Sequence, residues 1–190
     1  MTRKPFYVLS LCLFTFLIAA QIKVKGQSSI STNNRSIVVI DTSKVIGQIR
    51  DIFRKINSNI KSFTKVEKQS SEESSEGGDI VGYFKDGEIK KVTATYYGGL
   101  GQAVTEYYFD STQLVFVFKE DISYDKPFYM KDSKVATREQ SRYYFLGSDL
   151  LLWLDNKKRK VDPNKQSYQE VAMQFNKDVI EYAELLKQKK

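Results

Sequence analysis

The chemistry open to this chain is bounded first by what is missing. It has no histidine and a single cysteine, Cys12. A Ser-His-Asp triad, a Cys-His pair and a His-ligated zinc are therefore excluded. Any catalysis would fall to carboxylates, lysine, serine or tyrosine. Ser58-Asn59-Ile60-Lys61 and Ser62-Phe63-Thr64-Lys65 are S-x-x-K strings. Penicillin-binding enzymes use this spacing to let a lysine activate a serine. Neither string precedes a helix, and no S-D-N or K-T-G partner accompanies them, so both read as incidental. Glu120, Asp121 and Asp125 gather before Pro127. Paired carboxylates suit glycoside hydrolysis or calcium, but the D-x-D-x-D-G ladder of a calcium loop is missing. Gly98-Gly99-Leu100-Gly101 lies between strands and lacks the G-K-[ST] of a phosphate loop. No catalytic residue, metal site or cofactor is expected.

Tyrosine is the remaining candidate. Tyr83-Phe84, Tyr108-Phe109 and Tyr144-Phe145 are each followed by four residues and then Ile89, Leu114 or Leu150. The last two copies match further: Tyr107-Tyr108-Phe109 with LVFVF, and Tyr143-Tyr144-Phe145 with LLLWL, 36 residues apart. Each copy reads as strand, tight turn, strand. Asp86-Gly87 is the strongest turn signal, because glycine readily takes a positive φ. The Tyr-Phe units resemble repeats of the MORN-variant kind but lack their regular glycines, and no family is assigned on them. Side chains alternate along a strand, so Tyr83, Tyr108 and Tyr144 should share one face and Phe84, Phe109 and Phe145 the other. The phenylalanines are expected in the core. The three tyrosines are the candidate binding residues, an aromatic platform for a ligand. The alternative is that they are ordinary sheet residues with a half-wet tip.

The elements that must position these residues follow from periodicity. Val45, Ile46, Ile49, Ile52, Phe53, Ile56, Ile60 and Phe63 repeat at helical spacing, with Asp41, Thr42 or Ser43 available to cap the start. The far side carries Arg50, Arg54, Lys55 and Lys61, either a basic membrane-surface face or a solvated one. Ile37 to Ile40 reads as a short strand, and Ser70 to Gly78 as an acidic, flexible loop. A second helix is expected from Asp162-Pro163 through Tyr168, Phe175, Tyr182 and Leu186 to a basic last turn. The runs LVFVF and LLLWL are apolar without alternation, which suggests strands covered on both faces. The expected fold is α+β: an antiparallel β-meander of about six strands, built of three similar hairpins. An N-terminal and a C-terminal amphipathic helix pack on it, over one face.

The first residues read as an address. Met1-Thr2-Arg3-Lys4 is basic, and Phe6 to Ala20 is an uncharged run of 15 residues. That is the order of a secretory signal peptide, with cleavage after Ala20 or after Gly26. The run is short of the roughly 20 residues that span a bilayer, but an uncleaved anchor remains the alternative. Cys12 would leave with the signal, so the mature protein would form no disulfide. Residues 1–26 are followed by a disordered lead-in, 27–36, and a single α+β domain, 37–190. Of the net charge of +7, four come from Arg3, Lys4, Lys23 and Lys25, with no acids among residues 1–26. The remaining +3 gives little support for nucleic-acid binding, even with Lys157-Lys158-Arg159-Lys160 before the second helix.

These features point to an exported, periplasmic or secreted non-catalytic binding or accessory protein. Its partner would be a protein, a glycan or an apolar ligand of the cell envelope, with no nucleic acid. Membrane contact is expected only if the N-terminal segment is retained. The alternative is a small envelope hydrolase working through carboxylates.

Overall fold

The computed structural model describes residues 41–70 and 76–188. The expected signal segment, the expected lead-in, the strand expected over residues 37–40, residues 71–75 of the acidic loop and the last two lysines lie outside the described residues.

The chain opens with helix α1 (Thr42–Asn59) and a 3₁₀ turn (Ile60–Ser62). Seven strands follow: β1 (Thr64–Ser70), β2 (Gly78–Lys85), β3 (Glu88–Gly98), β4 (Gly101–Asp110), β5 (Gln113–Tyr124), β6 (Val135–Leu146) and β7 (Asp149–Leu154). Helix α2 (Gln166–Lys187) ends the description. The strands form one sheet in the order β1 to β7, each antiparallel to the next. The fold is α+β. The strand count exceeds the six expected because of β1. Its sequence, TKVEKQS, is charged and mostly exposed, and only Val66, Lys68 and Ser70 are half-buried. That alternation is too weakly apolar to read as a strand.

The Tyr-Phe repeat has a structural meaning. In β2–β3 the pairs Tyr83↔Lys91 and Phe84↔Ile89 leave Lys90 unmatched. In β4–β5, Tyr108↔Phe116 and Phe109↔Leu114 leave out Val115. In β6–β7, Tyr144↔Leu152 and Phe145↔Leu150 leave out Leu151. The same one-residue bulge therefore recurs beside three two-residue turns. Such a bulge bends the strand and increases its twist. Asp86 and Gly87 both take positive φ, 53° and 80°, as a tight hairpin turn of matching twist requires.

The helices cover opposite faces of the sheet, not one face. Tyr107, Phe109, Val117, Tyr143 and Phe145 pack with Phe175, Tyr182 and Leu186 of α2. Tyr108, Phe116 and Tyr144, the alternate positions, pack with Ile49 and Ile56 of α1. Unalternated apolar strands need cover on both sides, and a single layer of helices could supply only one. Gly82 is part of the fit on the α2 side, where an added Cβ would meet Leu186 and Phe84 at 2.7 and 2.8 Å.

The two helices start differently. Asp41 caps α1, its Oδ1 accepting from the amides of Ser43 and Lys44 at 3.0 and 3.2 Å. Asp162 instead holds a separate turn, accepting from the Asn164 amide at 2.9 Å. Helix α2 begins at Gln166, later than the Asp-Pro pair suggests, with no side-chain cap.

Candidate functional site

The cross-strand register lines up Lys65, Tyr83, Lys91, Tyr108, Phe116, Tyr144 and Leu152 in one row on the α1 face. The three repeat tyrosines thus do share a face, separated by Lys91 and Phe116. Tyr108 and Tyr144 are 0% and 4% exposed, roofed by α1. Phe53 of α1 rests on Tyr108 and Phe116, with ring centroids 4.9 and 5.5 Å apart. Phe116 in turn meets Tyr144 at 4.9 Å. Tyr83, half-buried, lies beyond Lys91 in the row. The phenylalanines Phe84, Phe109 and Phe145 lie in the opposite core, against α2.

A polar pin crosses this apolar interface. Lys91 is 7% exposed, and its ammonium donates to Glu106 Oε1 at 2.6 Å. It sits 5.0 Å from the Tyr108 ring centroid and 5.9 Å from that of Tyr83. The Tyr108 hydroxyl donates to Glu106 Oε2 at 2.6 Å and accepts from Asn57 Nδ2 of α1 at 3.1 Å. Burial, then the Glu106 charge and its hydrogen bond, hold the Tyr108 hydroxyl well above the usual tyrosine range, against a smaller opposing effect of Asn57. Lys91, Glu106 and Asn57 escape a reading of the sequence because a strand lysine ordinarily points to water. Only the register, which sets Lys91 opposite Tyr108, reveals them.

Next to the pin, α1 and the sheet part to leave a groove of about 370 Å³. That falls within the range of small-molecule sites, roughly 300 to 1,000 Å³. Its floor is Phe116, Phe118 and Tyr144, and its α1 wall is Ile49 and Phe53. Glu106, Gln140, Arg142 and Arg50 supply the polar groups. The Arg142 guanidinium lies over the Phe118 ring at 5.1 Å and donates to Gln140 Oε1 at 3.1 Å. Gln140 Nε2 donates to Glu120 at 2.7 Å, and Arg138 donates to the same carboxylate at 2.6 Å. Burial pushes the Glu120 carboxyl up, but the hydrogen bonds from Gln140 and Arg138 outweigh it and leave it below its usual range.

The chemical strings noted in the sequence are not drawn together. Ser58 donates to the Lys55 carbonyl and Ser62 to the Asn59 carbonyl, while Lys65 pairs with Glu67 on β1. Glu120 and Asp121 point to opposite faces of β5, and Asp121 pairs with Lys119. Asp125 accepts from the Lys134 amide at 2.9 Å. In the basic run, Arg159 closes back on Asp155. A second cavity, about 290 Å³, opens at the hairpin end of α1 between Lys55, Lys85 and Lys90 and the acids Asp86, Glu88 and Asp110. It is walled by mixed charges and offers less apolar floor. Among the described residues no group of acids, cysteines or histidines is placed to hold a metal, and no helix is long and apolar enough to cross a membrane.

Among the described residues, a sheet lies between two helices, with an apolar groove beside a buried polar cluster. Compared with known protein families, curated proteins and solved structures, the chain matches none.

Proposed function

We propose that this is a non-catalytic binding protein that holds an apolar small molecule in the groove between α1 and the sheet. The observation that carries the reading is the groove beside α1, where half-buried Phe118 continues the buried Phe116 and Tyr144 as an apolar floor. An apolar concavity with a few fixed polar groups is the usual form of a ligand site. The tyrosine row enters as floor rather than as an open platform, since only Tyr144 of the three borders the groove. No pair of carboxylates converges there, so hydrolysis gains no support from the same site.

The test is titration of the full chain with N-phenyl-1-naphthylamine, an uncharged apolar fluorophore. Saturable uptake is expected, weakened severalfold by Phe118→Asn in a variant whose circular dichroism and urea midpoint show it folded. Non-saturable uptake, or equal affinity in that variant, overturns the reading.

Export belongs to the same proposal. Its support is the basic start followed by the apolar run from Phe6 to Ala20. Intact mass of the protein from its own cells checks it: a chain beginning at Gln21 or Gln27 is expected, and a retained first segment would mean an anchored protein.

A further inference from the structure

We infer that the ligand of this groove carries a carboxylate head, received by Arg142. The inference rests on the groove reading above and adds the chemistry of one end of the ligand. Arg142 is half-buried at the groove and has no carboxylate partner among the described residues. Its one hydrogen bond to a protein group, among those residues, goes to Gln140. A half-buried guanidinium without a counter-ion costs desolvation energy that a bound anion would recover.

The guanidinium is also held in place. It lies over the Phe118 ring at 5.1 Å, and Gln140 is fixed by Glu120, which Arg138 fixes in turn. These contacts hold the guanidinium at the groove wall. Arginine's planar set of N–H groups matches a carboxylate with two parallel bonds.

The groove is lined by two arginines and one acid. Glu106 lines the same groove, and its charge is already met by Lys91 and the Tyr108 hydroxyl. Arg50, exposed on α1, adds positive charge at the rim and also lacks an ion-pair partner among the described residues. The apolar floor then takes the aliphatic or aromatic body. The occupant is a single-chain amphiphile with a monoanionic head, such as a medium-chain fatty acid.

Displacement of bound N-phenyl-1-naphthylamine from the full chain, below the micelle concentration of each competitor, tests this. Decanoate, decyl phosphate, decanol and decylamine are compared. Decanoate is expected to displace the probe at about tenfold lower concentration than decanol, the size of one charge-assisted hydrogen-bond pair. Decyl phosphate should fall behind decanoate and decylamine last. Arg142→Leu should remove the decanoate advantage while decanol competes as before, and Arg142→Lys should restore part of it. Arg142→Gln serves as a second variant should leucine disturb the strand. Equal competition by decanoate and decanol, or an advantage that survives Arg142→Leu and Arg142→Gln, overturns the head-group inference and leaves the groove reading standing. A stronger effect of decyl phosphate replaces carboxylate with phosphate. Failure of the probe to bind at all removes the groove reading, and this inference with it.

Discussion

Lys91 is the residue whose removal should be felt most on the α1 face. Its ammonium is buried against Glu106 at 2.6 Å, and taking one partner from such a pair strands the other charge. Lys91→Met should cost roughly 3 kcal/mol in urea unfolding. Adding Glu106→Gln to the same chain should recover part of that loss, and a double variant weaker than the single one would show that the pair is not coupled. Tyr107 and Tyr108 make a second prediction at this scale. Tyr107 is buried against α2 with its hydroxyl donating to Asp178 at 2.7 Å. Burial, followed by the Tyr182 and Asp178 interactions, raises its ionisation well above the usual range, as burial and Glu106 do for Tyr108. Both folded values are raised, so their stabilising contribution is complete below the ordinary tyrosine value near 10 and is lost as pH rises beyond it. Absorbance at about 295 nm should show these two phenols ionising together with unfolding in alkali. Separate, reversible ionisation of every tyrosine before unfolding would contradict the assignment. The tyrosines were legible from the repeat, down to their common face. Arg142 was not, because nothing in EQSRYY distinguishes an arginine aimed at a groove from one aimed at water.

At the scale of elements, α1 matters twice, as cover for the row and as one wall of the groove. Its start depends on Asp41, and Asp41→Ala should cost about 1 kcal/mol. Thermal melting reads the loss, and a weaker grip on the fluorophore should accompany it as the wall frays. Gly101 guards the β4–β5 pairing, since an added Cβ there would stand 2.7 Å from the Ile122 carbonyl oxygen. That neighbour is backbone and cannot swing aside. Gly101→Ala should therefore loosen the β4–β5 ladder near its open end, seen as faster amide exchange at Ile122 and Ser123, while exchange at the far hairpin turn stays unchanged. Both amphipathic helices could be read from spacing alone because their apolar stripes are unbroken. Strand β1 could not, since an edge strand carries charges where a central one carries valine. The bulges were written in the repeat but unreadable as bulges, because a residue skipped in the ladder leaves no mark in composition.

The described residues form a single sheet with a helix on each side, and its two edges are protected differently. Along β1 the protection is charge: Lys65, Glu67 and Lys68 line an otherwise open ladder. Along β7 the chain itself turns back, with Asp155 and Val161 donating to the Arg159 and Trp153 carbonyls at 2.9 and 3.0 Å. That the helices lie on opposite faces was implicit in LVFVF and LLLWL, whose unbroken apolarity demands two covers. Which helix takes which face depends on register across four strands, and no local pattern contains it. A chain ended after Val161 should keep its strand signal in circular dichroism yet bind anilinonaphthalene sulfonate and scatter light. A soluble, monomeric product would show that α2 is dispensable to the sheet.

The strictly sequential strand order also sets the order of assembly. Every strand finds its partner in the segment made just before it, so the sheet can be laid down from one end without waiting for a distant piece of chain. The exception is the last 22-residue helix. Until it arrives, Tyr107, Val117, Tyr143 and Phe145 form a wet, sticky surface on an otherwise finished sheet. The time between the seventh strand and that helix is the interval in which a newly made chain is most open to chaperones, to proteases and to its own copies.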